Sequence, residues 1–330
     1  MNTNSELVVS GYENFIDNFM ITKKEKETYN RIFNRLSEES KFITKWENED
    51  LDKFIYSFDS ISENSVNKYL QIVRDFYSFV CKELGLKPKS LKLTKNTKDY
   101  INLKELLART LDENEYKALK NLLIVETPEE GTYNYRDKVL LELGWLGLTN
   151  NEIKTLRIDN IEFYREFNQE KAKLKLKRRT VIIEEKEIVY DIKMTIKQKK
   201  YWRVEKGGRE YFINLKETPM LIKAVAMRQS NKDEVSNPSN MLNGVLKNLA
   251  EETEVAPGIK IENINLSDIR RSRIIELLKL PYLKISDIKN IYDKKTESDL
   301  YWLQSIANII KREELQQQGN KQIIKQVAYN

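Results

Sequence analysis

Apolar residues recur at helical spacing along most of this chain, and the pattern breaks once. "KEKETYNRIFNRLSEESKF" places Tyr29, Ile32, Phe33 and Leu36 on one face. "SVNKYLQIVRDFYSFVCKELGL" repeats the spacing with Val66, Tyr69, Leu70, Ile72, Val73, Phe76, Phe79, Val80 and Leu84. Gly85 stops that helix, and Pro88 follows. The break is "AKLKLKRRTVIIEEKEIVYDIKMTIKQKKYWRVEKGGREYFIN", which alternates and is rich in Val, Ile, Tyr and Thr. It predicts a small antiparallel sheet, with "EKGGRE" as a tight hairpin turn. Helices return from Thr218 and run almost to the end, interrupted at Gly319.

The predicted fold class is therefore mainly α with one small antiparallel sheet. A length of 330 residues suits two domains. A helical bundle is expected over 1–87. A lysine-rich linker follows over 88–108, "KPKSLKLTKNTKDYINLKE". The second domain is expected over 109–330. Inside it, Thr110 with Glu113 and Thr149 with Glu152 each read as a capping box. The second box follows an apolar helix from about Tyr135 to Leu146, closed by Gly147.

Composition narrows the chemistry. The chain has no histidine and one cysteine. Ser-His-Asp and Cys-His catalysis are excluded, as are histidine-ligated zinc sites. Cys81 lies in an apolar run and reads as buried packing. No metal and no cofactor are expected. The formal net charge of +6 is compatible with nucleic acid. No apolar run reaches the 18 residues of a membrane span, and the start lacks a signal-peptide pattern. The expected location is the bacterial cytoplasm.

Basic residues cluster in two places. Alternation puts Lys173, Lys175 and Lys177 on one face of a strand, with Leu174 and Leu176 on the other. Arg178 and Arg179 follow, and Lys199, Lys200 and Arg203 sit beside Tyr201 and Trp202. Lysines guard single edge strands, but two neighbouring basic strands favour phosphate contact. The second cluster is "INLSDIRRSRIIELLK". Ser267 is the expected N-cap, and Arg270, Arg271 and Arg273 sit near the helix start. Cations there oppose the helix dipole at about 0.3–1 kcal/mol each, so their placement points to an anion.

Four segments, in order and over nearly the whole chain, resemble the tyrosine recombinase (phage integrase) family. "SVNKYLQIVRDFYSFVCKELGL" is similar to the last helices of its core-binding domain. "YRDKVLLELGWLGLTNNEIKTLRIDNIEF" resembles its first catalytic box, and "KLKLKRRTVII" its lysine hairpin. "LSDIRRSRIIELLKLPYLKISDIKNIYDKKTESDLYWL" resembles the second box and the approach to the nucleophilic tyrosine. The resemblance implies a core-binding-like domain and an integrase-like domain clamping double-stranded DNA, with a homo-oligomer forming on it. It also implies a chemistry: a tyrosine attacks a phosphodiester, two arginines stabilise the charge, and a hairpin lysine protonates the leaving oxygen.

Residue by residue, the match is partial. Thr149 stands where the family has its first arginine, and Glu152 matches the acidic residue after it. Ser267 replaces a histidine, Arg270 matches the second arginine, and Arg271 replaces the next histidine. Asp293 and Lys294 stand where Gly-His or Gly-Trp is common. The resemblance places the tyrosine on or near Leu303, with Tyr301 two residues early. Lys175 or Lys177 matches the hairpin lysine. Loss of one of the two arginines removes roughly 10²–10³-fold in rate. The expectation is a DNA-binding protein without standard recombination, serving plasmid or phage replication, partition or regulation. The alternatives are an atypical strand transferase using Tyr301, Arg270 and Lys175, and a helical scaffold for another protein. Tyr301 and Tyr292 both read as packing residues.

Overall fold

The computed structural model describes residues 15, 23–60, 62–123, 127, 134–204, 209–226, 237–252, 261, 264–294 and 297–328. The chain divides into two compact units, Met1–Leu107 and Ala108–Asn330.

The first unit contains α1 (Lys23–Glu38), α2 (Asn48–Tyr56) and α3 (Glu63–Glu83). Ser62 caps α3 by accepting from the Ser65 N–H at 3.2 Å. Phe33 and Phe76 meet edge to face at 4.6 Å, and Phe15 joins them. Cys81 is buried and unpaired, as its apolar setting predicts. Gly85 (φ +64°) ends α3: its N–H reaches Lys82 O, and the Leu86 N–H reaches Cys81 O at 2.8 Å.

Residues 88–107, expected as linker, belong to this first unit. Leu91, Tyr100, Ile101 and Leu106 are buried. Arg74 Nε donates to Leu91 O at 2.8 Å, and the Asn102 N–H donates to Ser60 O at 2.7 Å. Tyr100 OH and Thr94 both donate to the Asp52 carboxylate. The short helix α4 (Leu103–Leu107) closes the segment. Its buried residues follow no regular period, so sequence pattern alone does not show that they are anchored.

In the second unit, α5 (Glu113–Leu122) is capped two residues later than the expected Thr110–Glu113 box. Asp112 and Glu115 make the reciprocal bonds instead, both at 2.8 Å. The Leu111 N–H, just before this cap, is held by Ser272 Oγ at 2.9 Å. The helix α6 (Tyr135–Trp145) is buried on every side from Arg136 to Trp145. Next come α7 (Asn150–Thr155) and an antiparallel meander of β1 (Ile161–Glu166), β2 (Gln169–Lys175) and β3 (Thr180–Ile183). Register pairs Ile161 with Leu174, Ala172 with Ile183 and Lys175 with Thr180.

The single sheet expected across 172–214 is corrected here. Lys186–Lys197 is a helix, α8, not strand. Its Val and Ile content reads as β, but Ile188, Val189, Ile192 and Thr195 share the helical spacing that buries one face on α6. A separate two-stranded sheet follows, β4 (Lys200–Val204) with β5 (Glu210–Asn214). Most of the expected "EKGGRE" turn, residues 205–208, lies outside the described residues. The chain then forms α9 (Pro238–Glu252), α10 (Leu266–Leu278), α11 (Ile285–Ile291) and α12 (Ser298–Ala328). The last runs through Gly319 rather than stopping there. One glycine costs only about 1 kcal/mol against alanine, too little to end a long helix. Among the described residues, no helix is long and apolar enough to cross a membrane.

Behind α6 lies a buried charge cluster. Lys138 Nζ sits 2.6 Å from Asp191 and 2.8 Å from Glu187, and these two carboxylates outweigh burial and keep it charged. Glu142, 0% exposed, has no hydrogen-bond partner for either oxygen among the described residues. Burial, reinforced by Asp191 beside it, pushes its carboxyl up to about 9. The folded chain therefore keeps a proton that the unfolded chain releases. Stability should fall as pH rises through the window from the ordinary carboxylate value to about 9. Glu142→Gln should flatten that slope in thermal unfolding at pH 6 and pH 8.5, and stabilise the protein at the higher pH by about 1–3 kcal/mol.

Candidate functional site

The turn between α6 and α7 builds the site's floor. Gly147 takes φ +87°, a left-handed conformation open to glycine at little cost. A Cβ there would stand 2.3 Å from Cε1 of Tyr292, because the buried Tyr292 ring lies directly against it. Thr149 then caps α7. Its Oγ1 accepts from the Glu152 N–H at 3.2 Å, and Glu152 Oε2 accepts from the Thr149 N–H at 2.7 Å. The capping box predicted for this pair is present.

Two arginines converge on the Gly147 carbonyl. Arg179 Nη2 and Arg270 Nε each donate to it at 2.8 Å. Each also reaches the end of α11: Arg179 Nη1 donates to Ile291 O, and Arg270 Nη2 donates to Tyr292 O at 2.7 Å. Arg179 additionally grips both oxygens of Glu152, at 2.9 and 3.0 Å, a bidentate pair. Burial would raise the Glu152 carboxyl, but Arg179 and the Thr149 N–H outweigh it and hold it below its usual range. Burial, then the neighbouring Arg179, lower the Arg270 guanidinium; it remains a cation at neutral pH. Among the described residues, no carboxylate lies within ion-pair distance of Arg270. Burial also pushes the Tyr292 hydroxyl up to about 12 against the pull of Arg273, Arg270 and Arg179, so it stays protonated.

No protein-family model matches the chain, and no curated protein sequence matches it. Solved structures do. The site-specific recombinase XerH, bound to palindromic difH substrate, is similar over 96% of this chain and 97% of that one, at 11% identity and a TM-score of 0.52. The chain has the tyrosine-recombinase fold. The Tn1549 transposon integrase in complex with circular intermediate DNA is also similar, at 13% identity over 94% of this chain and 99% of that one, with a TM-score of 0.46.

Against the tyrosine-recombinase fold, the residues singled out in the sequence fall into separate groups. Arg270 and Arg179 meet at Gly147. Lys177 and Arg178 are exposed at the β2–β3 turn, which the Leu176 N–H closes by donating to Arg179 O at 2.9 Å. Lys175 is paired with Glu162 at 3.0 Å, and Lys173 faces Glu162 in register. Lys199, Lys200 and Arg203 lie on or beside β4, in the other sheet, so the two basic strands are not neighbours. The arginines of α10 diverge because successive helical residues are turned by about 100°. Arg271 bonds Asp268, and Arg273 lies 5.3 Å over the Trp145 ring.

Two further expectations change. Ser267 is not the N-cap of α10. Asn265 is, accepting from the Ser267 and Asp268 N–H groups, while Asp268 accepts from the Asn265 N–H at 3.2 Å. The arginines therefore start in the second turn, where opposition to the dipole is weaker. Tyr301 is not packed: it is 55% exposed, with its hydroxyl on Glu297 at 3.1 Å. That hydrogen bond raises its pKa, and the Glu297 charge adds to the effect. Tyr292 is buried as expected, and so is Leu303.

Arg179 carried no mark in the sequence beyond its place in a basic run. Its partner Glu152 lies 27 residues away, a pairing that only the fold makes. Replacing Gly147 by Ala should lower stability by about 2–4 kcal/mol in chemical denaturation, combining left-handed backbone strain with overpacking against Tyr292.

Proposed function

We propose that this chain binds double-stranded DNA at a specific site and holds a phosphate without carrying out standard strand exchange. The observation that carries the reading is Arg270. It is a largely buried guanidinium anchored by two carbonyls, and no described carboxylate pairs with it. Of its five N–H groups, the three left over suit an anionic oxygen. The exposed Lys177 and Arg178 lie on the turn that Arg179 ties to the same floor, so further backbone contacts are close by. The fold shared with XerH, bound to difH substrate, supports a duplex as the partner.

Strand cleavage is not supported by the same geometry. Thr149 spends its hydroxyl on the cap of α7. Leu303 is core, and the hydroxyl of Tyr301 faces a carboxylate, which disfavours the tyrosinate a nucleophile needs. A role in plasmid or phage DNA maintenance, such as replication initiation, partition or regulation, fits a binder of this kind.

Anisotropy titrations with duplexes flanking its own gene should give affinity that falls steeply from 50 to 200 mM salt, by about 0.9 in log–log slope per phosphate contact. Changing Lys177 and Arg178 together to Ala should reduce that slope by about 2. A suicide substrate should yield no covalent adduct, and Tyr301→Phe should bind as wild type. An adduct lost in Tyr301→Phe would establish the strand-transferase reading instead. Absence of salt-dependent binding would favour a protein partner.

A further inference from the structure

We infer that Arg179 is a positioning residue whose task is to sequester the Glu152 carboxylate, so that Arg270 keeps its charge and its open N–H groups for a phosphate. This deepens the phosphate-binding reading above and rests on it. Arg179 and Arg270 donate to one carbonyl, Gly147 O, so their guanidinium groups lie side by side. The only carboxylate bonded to either among the described residues is Glu152, and both its oxygens are taken by Arg179. Glu152 also acts on Arg270 through space.

The bond count separates the roles of the two arginines. Arg179 uses its Nε, Nη1 and both Nη2 hydrogens internally, and its side chain is only 9% exposed. It has almost nothing left to offer a ligand. Arg270 uses two of five. Of the two guanidinium groups, Arg179 is the one ion-paired with Glu152, while Glu152 and Asp293 act on Arg270 only through space. Without a cation at 179, the half-buried Glu152 carboxylate is left facing Arg270, on which it already acts through space. Pairing there would cancel the charge a phosphate needs. The chain thus compensates for the threonine at 149: a cation supplied from the β2–β3 turn neutralises the acidic residue that has no arginine beside it in sequence.

The test is a double-mutant cycle of Arg179→Gln, Glu152→Gln and the pair, with Arg270→Gln as reference and native near-UV circular dichroism required of each. Glutamine at 152 still accepts from the Thr149 N–H, so the cap survives. Two readouts are used: duplex affinity, and the Arg270 Nε–H NMR signal titrated with inorganic phosphate. Arg179→Gln should bind duplex about tenfold or more weakly, as Arg270→Gln does, and the Arg270 signal should stop responding to phosphate. Glu152→Gln alone should bind at least as well as wild type. The double variant should return to within about threefold of wild type on both readouts. If Arg179→Gln does not fold, Arg179→Lys, which keeps a cation beside Glu152, should respond to phosphate like wild type, and loss of that response would overturn the inference. A folded double variant as weak as Arg179→Gln would also overturn it, since a direct contact or a purely structural latch is not rescued by removing Glu152. If wild type ignores duplex but its Arg270 signal follows the predicted phosphate pattern, the DNA reading falls and the assignment of Arg179 stands.

Discussion

The backbone carbonyl of Gly147 accepts from two guanidinium groups at once, and most of the site follows from that sharing. Two cations brought this close repel each other unless something negative lies between them. Here the carbonyl dipole and the Glu152 carboxylate supply it. The carbonyl can turn toward both arginines because Gly147 is left-handed and because the Tyr292 ring fills the space where a side chain would be. The α6–α7 turn, the end of α11, the second turn of α10 and the β2–β3 turn are all tied to one another through these two side chains.

Much of this architecture is legible in the sequence, for identifiable reasons. Helices with a clean apolar stripe, such as α3, announce themselves by spacing, and Gly85 marks the stop correctly. Thr149 and Glu152 declare their cap because a capping box is a local contact, four residues long. The errors arise where a non-local partner decides. The helix α8 has the composition of a strand but is folded as a helix by the face it buries on α6. The cap of α10 falls on Asn265, two residues before Ser267, because Asp268 answers it. Arg179 is invisible among its basic neighbours because its partners come from two distant segments, the α6–α7 turn and the end of α11.

The buried helix α6 shows a second limit of pattern reading. "YRDKVLLELGWLGL" reads as apolar, yet its polar residues are as buried as its leucines. Each of Arg136, Asp137 and Lys138 finds a compensating group: Arg136 bonds Asp137 and lies 4.0 Å from the Tyr201 ring centroid, and Tyr201 OH donates to Asp137 at 2.6 Å. Glu142 departs from this: neither oxygen has a hydrogen-bond partner among the described residues, Lys120 Nζ stands 3.9 Å away, and burial beside Asp191 favours the protonated carboxyl.

Positions 147 and 149, two residues apart, stand under different kinds of constraint. What the site needs from 147 is backbone: a φ of +87° and no side chain under Tyr292. What it takes from 149 is a hydroxyl that serves a helix end. A side-chain duty can lapse and be replaced by a cap at no structural expense, whereas a backbone duty cannot be reassigned without rebuilding three loops. Substitution at 149 therefore leaves the frame that carries Arg179 and Arg270 in place wherever the new side chain can cap α7, whereas substitution at 147 does not. In this turn the glycine sets the path of the backbone, and the threonine sets where the next helix begins.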